Sequence, residues 1–148
     1  MKAEIYQLTT SPETTTVRFV SRGPRGEIPK IIQFELLSAD EQAPVYNLPF
    51  GDGIETIDDL AVSANGDTDK ILATVAAAAE QFLTDHPKAL LYATGSTPAR
   101  TRLYRIGLVR SLPFVRTKFL LFGLINGGPE PFEPGRPYQA FIAQMISA

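Results

Sequence analysis

The chain has 148 residues, of which 44% are hydrophobic and none is cysteine, and its formal net charge is -2. This length suits one domain with a sizeable core, so we expect a single domain over residues 1–148. The lack of cysteine excludes a disulfide scaffold, a cysteine-ligated zinc site and a thiol nucleophile. No signal-peptide core and no apolar run of about 20 residues occurs, which predicts a cytoplasmic protein without a membrane partner.

The small net charge conceals two stretches of opposite charge. Residues 35–85 contain eleven acidic residues and one lysine, whereas residues 88–118 contain seven cations and no acidic residue. The two stretches either pair within the fold, where their charges cancel, or leave a surface of divided charge that selects partners by sign. Both interpretations stay open from the sequence alone.

The N-terminal part of the chain predicts antiparallel strands. Residues 17–20 and 28–37 flank a Gly-Pro-Arg-Gly sequence at 23–26, whose glycines and proline favour a hairpin turn. A third strand is expected over residues 45–50. In the second arm of the hairpin, three apolar residues alternate with polar ones and predict one packed face: Ile32, Phe34 and Leu36.

An acidic connection at 51–59 and a short strand at 60–63 precede the main helix, which we expect over residues 68–85. Apolar residues recur in that helix at spacings of three and four, which predicts one buried face. Thr68 or Asp67 supplies its cap. The apolar run at residues 90–94 follows, and we expect it to form a strand inside the sheet.

That strand covers residues 90–94, and a second helix is expected over 98–106, ending at Gly107. A last strand follows at 119–125, and the glycine- and proline-rich stretch 126–137 predicts a loop. The predicted buried stripe of the second helix consists of Ala99, Leu103 and Ile106. A short terminal helix is indicated by Tyr138, Phe141, Ile142 and Met145.

Together these elements predict an α+β fold. We expect an antiparallel or mixed sheet of about five to seven strands with two main helices and a short C-terminal helix. No internal repeat or low-complexity tract interrupts this organisation.

The start of the second helix carries the pattern of an anion-binding site. A Gly-Ser-Thr-Pro sequence caps it, and the first-turn N–H groups of a helix have no intrahelical acceptor and lie at the positive end of the helix dipole. Arginines in the first turn are disfavoured by that dipole, so their presence there indicates a function rather than local stability. The candidate ligand-binding residues are Ser96, Thr97, Arg100, Arg102 and Arg105.

Other interpretations of the same residues stay open. The arginines are structural if they pair with carboxylates of the acidic connection. Secondary candidates are Tyr104, Asp52, Asp58 and Asp59. The acidic connection lacks the ligand spacing of an EF-hand, and solvated loop charge accounts for it. His86, the single histidine, is expected at an exposed helix end, and one histidine without cysteine predicts neither a metal site nor a catalytic triad.

Three segments of the chain form a recognisable set: Tyr46-Asn47-Leu48-Pro49-Phe50-Gly51-Asp52, Asn65-Gly66-Asp67 with Lys70-Ile71-Leu72-Ala73-Thr74-Val75, and Gly95-Ser96-Thr97-Pro98-Ala99-Arg100-Thr101-Arg102-Leu103-Tyr104-Arg105. They resemble an uncharacterised bacterial family that is defined only as a domain of unknown function. The resemblance spans most of residues 15–110 and implies a shared fold, but it transfers no activity.

A second, topological resemblance concerns the order strand, helix, strand, helix, strand in the C-terminal half. With Leu103-Tyr104 shortly before Gly107, this order is similar to the C-terminal half of the N-acetyltransferase fold. That resemblance implies binding of acyl-CoA. The chain departs from the pattern at residues 65–69, where Asn-Gly-Asp-Thr-Asp stands in place of an arginine- and glycine-rich turn.

These observations predict a non-catalytic binding module without a cofactor. Its basic helix start at 96–105 is expected to dock a phosphate-bearing partner, either nucleic acid or a nucleotide. Two alternatives stay open: an acyltransferase-fold enzyme that binds acyl-CoA, and a protein-interaction or toxin–antitoxin type module whose charged faces recognise another chain or a second copy.

Overall fold

The fold is α+β, as the sequence predicts. The computed structural model describes residues 5–10, 16–40, 42–48, 50–52, 66–95 and 97–146. Its elements in chain order are β1 (Thr9–Thr10), β2 (Thr16–Gly23), β3 (Gly26–Gln33), β4 (Glu35–Ser38), β5 (Val45–Asn47), β6 (Phe50–Asp52), α1 (Thr68–Asp85), β7 (Leu90–Ala93), α2 (Pro98–Lys118), β8 (Phe119–Ile125), β9 (Gly128–Pro131) and β10 (Ala140–Met145).

The strands of the described residues form two sheets rather than one. The smaller sheet has the order β1-β2-β3-β6 and is antiparallel throughout. The larger has the order β4-β5-β7-β10-β8-β9, with β5 and β7 parallel and every other pair antiparallel. The predicted mixed sheet is therefore the larger one, and β7 lies inside it as expected.

The predicted hairpin is confirmed in β2 and β3, which pair from Thr16 with Gln33 to Gly23 with Gly26. The second arm does not continue as one strand, because the chain crosses from the smaller to the larger sheet at Phe34. Phe34 is buried between the sheets, whereas Leu36 is 53% exposed on an edge strand. The predicted packed face thus ends at Phe34.

The strand predicted at 45–50 is divided in the same way. Its first part is β5 in the larger sheet and its last residue begins β6 in the smaller sheet, with Leu48 buried between them. The strand predicted at 60–63 and the rest of the acidic connection lie outside the described residues.

Helix α1 begins and ends where the sequence predicts. Its apolar face carries Ala79, Phe82 and Leu83, all buried, and Phe82 stacks on Phe34 with 4.1 Å between ring centroids. Asp67 is the cap residue, but its side chain makes no capping hydrogen bond. The Asp67 carboxylate instead accepts hydrogen bonds from the hydroxyls of Tyr6 and Ser21, both at 2.5 Å, which ties the N-terminal segment and β2 to the start of α1.

Helix α2 starts at Pro98 as predicted, but the predicted end at Gly107 is wrong. The helix continues to Lys118, through Gly107 and Pro113. Leu112 and Val115 in its second half are buried, so that packing against the larger sheet and α1 outweighs the local helix-breaking residues.

The predicted buried stripe of α2 is wrong at Ala99 and at Ile106. Ala99 and Ile106 are exposed, and Leu103 is described by its backbone alone. The observed inward face is rotated relative to the predicted one and consists of Thr101, Tyr104, Leu108, Leu112 and Val115. Spacings of three and four fit both stripes, and the buried residues beyond Gly107 decide between them.

The C-terminal segment is a strand and not the predicted helix. Strand β10 lies between β7 and β8 and pairs with both of them. A six-residue apolar run fits either periodicity, and two neighbouring strands with free edges satisfy its backbone N–H and C=O groups. Part of the loop predicted at 126–137 forms β9, which pairs with β8.

Among the described residues, two ion pairs join the acidic and basic stretches of the sequence. Arg110 lies 3.4 Å from Asp69, and Lys118 lies 3.4 Å from Glu80. Both pairs connect α1 to α2 on the surface, where such pairs stabilise weakly. The pairing interpretation of the divided charge therefore holds for these two cations of α2.

Replacing Gly123 with alanine is expected to destabilise the larger sheet. A Cβ atom at this position in β8 would overlap the Tyr138 ring, which is 2% exposed and held at its hydroxyl end. Overpacking of this kind costs about 1–3 kcal/mol or more. Urea denaturation measures the loss, with Gly128→Ala as control, because the space around Gly128 is open. Equal stability of the two variants would contradict the packing role of Gly123.

Candidate anion-binding cleft

A cleft of ≈ 420 Å³ lies where β7 ends and α2 begins. The residues before β10 close its other side. No charged side chain of the described residues contributes to its wall, which is formed by Thr94, Gly95, Thr97, Pro98, Thr101, Pro137, Tyr138 and Gln139. The cleft thus opens at the helix start that the sequence singles out.

The first turn of α2, whose Thr97, Pro98 and Thr101 line this cleft, has backbone donors without an intrahelical acceptor. The Thr101 N–H donates to the Thr97 carbonyl at 3.0 Å, which begins the helical hydrogen-bond series. Pro98 has no N–H, and the N–H groups of Ala99 and Arg100 precede the series, so no intrahelical acceptor exists for them. These two donors lie at the positive end of the helix dipole.

The hydroxyl of Thr101 fixes this turn against the end of β7. It is 7% exposed, accepts a hydrogen bond from the Gly95 N–H at 2.9 Å and donates to the Thr97 carbonyl at 3.2 Å. The Thr94 hydroxyl donates to the Gln139 carbonyl at 2.9 Å. Strand β7, helix α2 and the entry to β10 are therefore held together at the cleft floor.

The Tyr138 wall of the cleft is held by a carboxylate and a guanidinium. The Tyr138 hydroxyl donates to Glu130 Oε2 at 2.9 Å and accepts from the Glu133 N–H at 3.0 Å. Arg136 meets the same carboxylate through two nitrogens, Nη2 at 2.9 Å and Nε at 2.6 Å. The hydrogen bonds from Arg136 and then Tyr138 lower the pKa of Glu130, whereas burial raises the pKa of Tyr138.

The structure brings only some of the predicted ligand-binding residues to the cleft. Thr97 lies in its wall, and Ser96 lies outside the described residues. For Arg100 the structure describes the backbone, which lies in the first turn of α2. Arg105 is half-buried and lies one helical turn after Thr101 on the same side of α2, but it does not line the cleft.

Arg102 does not lie on that side of α2. It is exposed and lies on the outer face of α2 together with Ile106. Among the described residues, no carboxylate forms an ion pair with either arginine. Asp58 and Asp59 lie outside the described residues, as does the side chain of Asp52, and pairing with them stays a prediction.

The side chains of the remaining candidates, Tyr104 and His86, pack against other residues of the fold. Tyr104 is half-buried and packs against the cluster that contains Tyr138 and Phe141. His86 follows α1 as expected but is half-buried rather than exposed, because its ring stacks on Phe82 with 4.3 Å between centroids. In the part of the chain that the structure describes, no group of three His, Asp or Glu residues is placed to hold a metal ion.

Five residues of the cleft are not among those that the sequence predicts: Thr94, Thr101, Pro137, Tyr138 and Gln139. The i to i+4 spacing of Thr97 and Thr101 on a predicted helix was a usable signal, since it places Thr101 above the cap. No local signal points to Tyr138 and Gln139, which reach the cleft only because β10 is a strand.

The fold and the cleft define an α+β domain with a concave site at a helix start. The chain belongs to DUF6934, a family of unknown function whose model matches residues 2–146. Searches of curated proteins and of solved structures found no match. No helix of the described residues is long and apolar enough to cross a membrane.

Glu130→Gln is expected to lower stability at neutral pH and to have no effect in acid. The pKa of Glu130 is depressed in the folded state, so its carboxylate stabilises the fold above the ordinary carboxyl pKa. This contribution disappears as the pH falls through the depressed pKa. Melting curves from neutral pH to strong acid should show the gap between wild type and variant closing.

The control is Glu133→Gln, which removes a neighbouring exposed carboxylate. It should follow the wild-type curve throughout the range. A gap for Glu130→Gln that stays constant down to strong acid would show that the carboxylate does not stabilise the Tyr138 wall.

Proposed function

We propose that this protein is a non-catalytic binding module that holds a phosphate-bearing ligand in the cleft at the start of α2. The observation that carries the proposal is the coincidence of a concave site with the N-terminus of a helix that has six cations and no acidic residue in 21 residues. Backbone N–H groups at such a position favour phosphate oxygens by geometry and by dipole.

Cleft size and the positions of the aromatic residues favour a nucleotide over nucleic acid. A volume of ≈ 420 Å³ is within the range of small-molecule pockets, about 300–1,000 Å³. Single-strand binding uses exposed aromatic faces on which bases stack. Tyr92 and Tyr104, the two aromatic residues near the basic stretch that were candidates for stacking, are half-buried instead.

Isothermal titration with inorganic phosphate, ATP, acyl-CoA and a single-stranded oligonucleotide, at low and high salt, tests this proposal. We expect phosphate and ATP to bind, and the oligonucleotide to bind no more tightly than ATP. The double variant Arg100→Ala/Arg105→Ala should lower affinity by about 10- to 100-fold, since a hydrogen bond to a charged group contributes about 1.5–3 kcal/mol.

The matched control is Arg110→Ala/Arg116→Ala, which removes the same charge from the exposed far part of α2. Equal loss of affinity in the two double variants would show that binding depends on overall charge rather than on the cleft. Tighter binding of the oligonucleotide than of ATP would assign the site to nucleic acid, and selective binding of acyl-CoA would support the acyltransferase alternative.

A protein partner is the second candidate function, because of a separate surface. The outer face of α2 combines exposed arginines with Ile106 and Val109, which are 39% and 38% exposed. An acidic partner with apolar residues complements such a face. Light scattering after size exclusion at low and high salt tests whether that partner is a second copy, and Ile106→Ser should reduce the association.

A further inference from the structure

The side of the larger sheet that points away from α1 and α2 is apolar. Leu91, Leu121 and Ala143 of β7, β8 and β10 point toward the two helices. Because side chains alternate along a strand, the residues between them point to the opposite side, which is the open face of the sheet. The central part of the open face consists of Leu90, Tyr92, Leu120, Phe122, Ile142 and Gln144.

One row of residues on the open face crosses five strands. Ile142 of β10 lies beside Tyr92 of β7 and beside Phe122 of β8. Phe122 in turn lies beside Pro131 of β9, and Tyr92 lies beside Asn47 of β5. Four neighbouring strands therefore present an aromatic or aliphatic side chain in this row.

This composition is not that of a sheet face in contact with water. A sheet with one solvated face alternates apolar and polar residues, whereas β8 is apolar on both sides from Phe119 to Ile125, as in strands that are buried on both faces. Leu120 is nevertheless 46% exposed. In the part of the chain that the structure describes, both helices and the smaller sheet share a core on the other side of the larger sheet.

The open face also lacks charge. Among the described residues of β5, β7, β8, β9 and β10, the one charged side chain is that of Glu130, which bonds to Tyr138 on the helix side. A foreign partner is selected largely through complementary charge, which the open face does not offer. A second copy, by contrast, meets this face without bringing like charges together, and interfaces between identical chains are the more apolar class.

The area of the open face is sufficient for a dimer of moderate affinity. With strands about 4.8 Å apart and about 3.3 Å per residue, the larger sheet has a flat footprint of about 450 Å². Protruding side chains add accessible area to this footprint, so two copies together bury roughly 1,000 Å², the lower limit for a specific interface. Exposed apolar patches of several hundred Å² mark interaction sites.

We propose that two copies of this chain associate through their open faces, which pack on each other as the two sheets of a β-sandwich do. Sheets in that arrangement lie about 10 Å apart and interdigitate the side chains of their inner faces. The row through Tyr92, Ile142 and Phe122 forms the centre of the interface. This inference does not depend on the proposed function, because it concerns a different surface.

Analytical ultracentrifugation of the full chain over about 1–100 μM, at low and high salt, tests this inference. At the upper end we expect twice the 16.2 kDa mass of one chain. High salt should not dissociate the dimer, since salt screens charges and not apolar contacts. A monomer at every concentration would overturn the inference, and so would a dimer that high salt dissociates, because charged groups elsewhere would then hold it.

Leu120→Lys is expected to raise the dissociation constant of the dimer by about 100-fold or more, because the interface would bury an unpaired ammonium group from each copy. The matched control is Leu36→Lys. Leu36 is 53% exposed but pairs with Tyr46, whose ring packs on Phe82 of α1, so it points to the other side of the sheet. This control should dimerise like the wild type.

Two further variants keep the test decisive. If Leu120→Lys does not fold, Leu120→Ser removes the apolar contact without adding charge and should weaken the dimer by about ten-fold. Ile106→Ser, on the outer face of α2, should leave the dimer intact. A dimer that survives both changes at Leu120, or that Leu36→Lys or Ile106→Ser dissociates equally well, would be formed by another surface and would overturn the inference.

Discussion

The contact on which the rest of the structure depends is that of the Tyr138 ring with the backbone of Gly123. It leaves no room for a Cβ atom at position 123, and the Tyr138 hydroxyl is fixed at its other end by Glu130 and the Glu133 N–H. One side chain thereby joins β8, β9 and the entry to β10. Together with the hydrogen bond from Thr94 to the Gln139 carbonyl, it fixes the segment that closes the cleft.

The position of Tyr138 also determines the cleft, because Tyr138 directly precedes the segment that enters β10. Once the segment after Tyr138 enters the sheet between β7 and β8, the Gln139 carbonyl accepts the hydrogen bond of Thr94, 45 residues earlier in the chain. That bond sets the end of β7, and Thr101 then joins the start of α2 to Gly95. The cleft is a consequence of this placement, because the residues before β10 form its wall opposite the start of α2.

The sequence predicted those elements whose conformation is decided by neighbouring residues in the chain. The hairpin turn at 23–26, the bounds of α1 and the start of α2 at Pro98 all follow from turn, cap and periodicity rules. The end of α2 and the strand conformation of β10 do not follow from those rules, because the tertiary packing of Leu112 and Phe141 outweighs the local preferences. The cleft was predictable only in part for the same reason. Gly95, Thr97 and Pro98 belong to the local helix-start motif, whereas Pro137, Tyr138 and Gln139 reach the cleft through the placement of β10.

The most direct measurement of the central claim is an amide NMR titration of the isotopically labelled protein with inorganic phosphate. The account predicts the largest shifts at the N–H groups of the first turn of α2, from Ala99 to Thr101, with smaller shifts at Gly95 and Gln139. Shifts concentrated at Val109 and Arg116 on the outer face of α2, or no shifts at all, would contradict it.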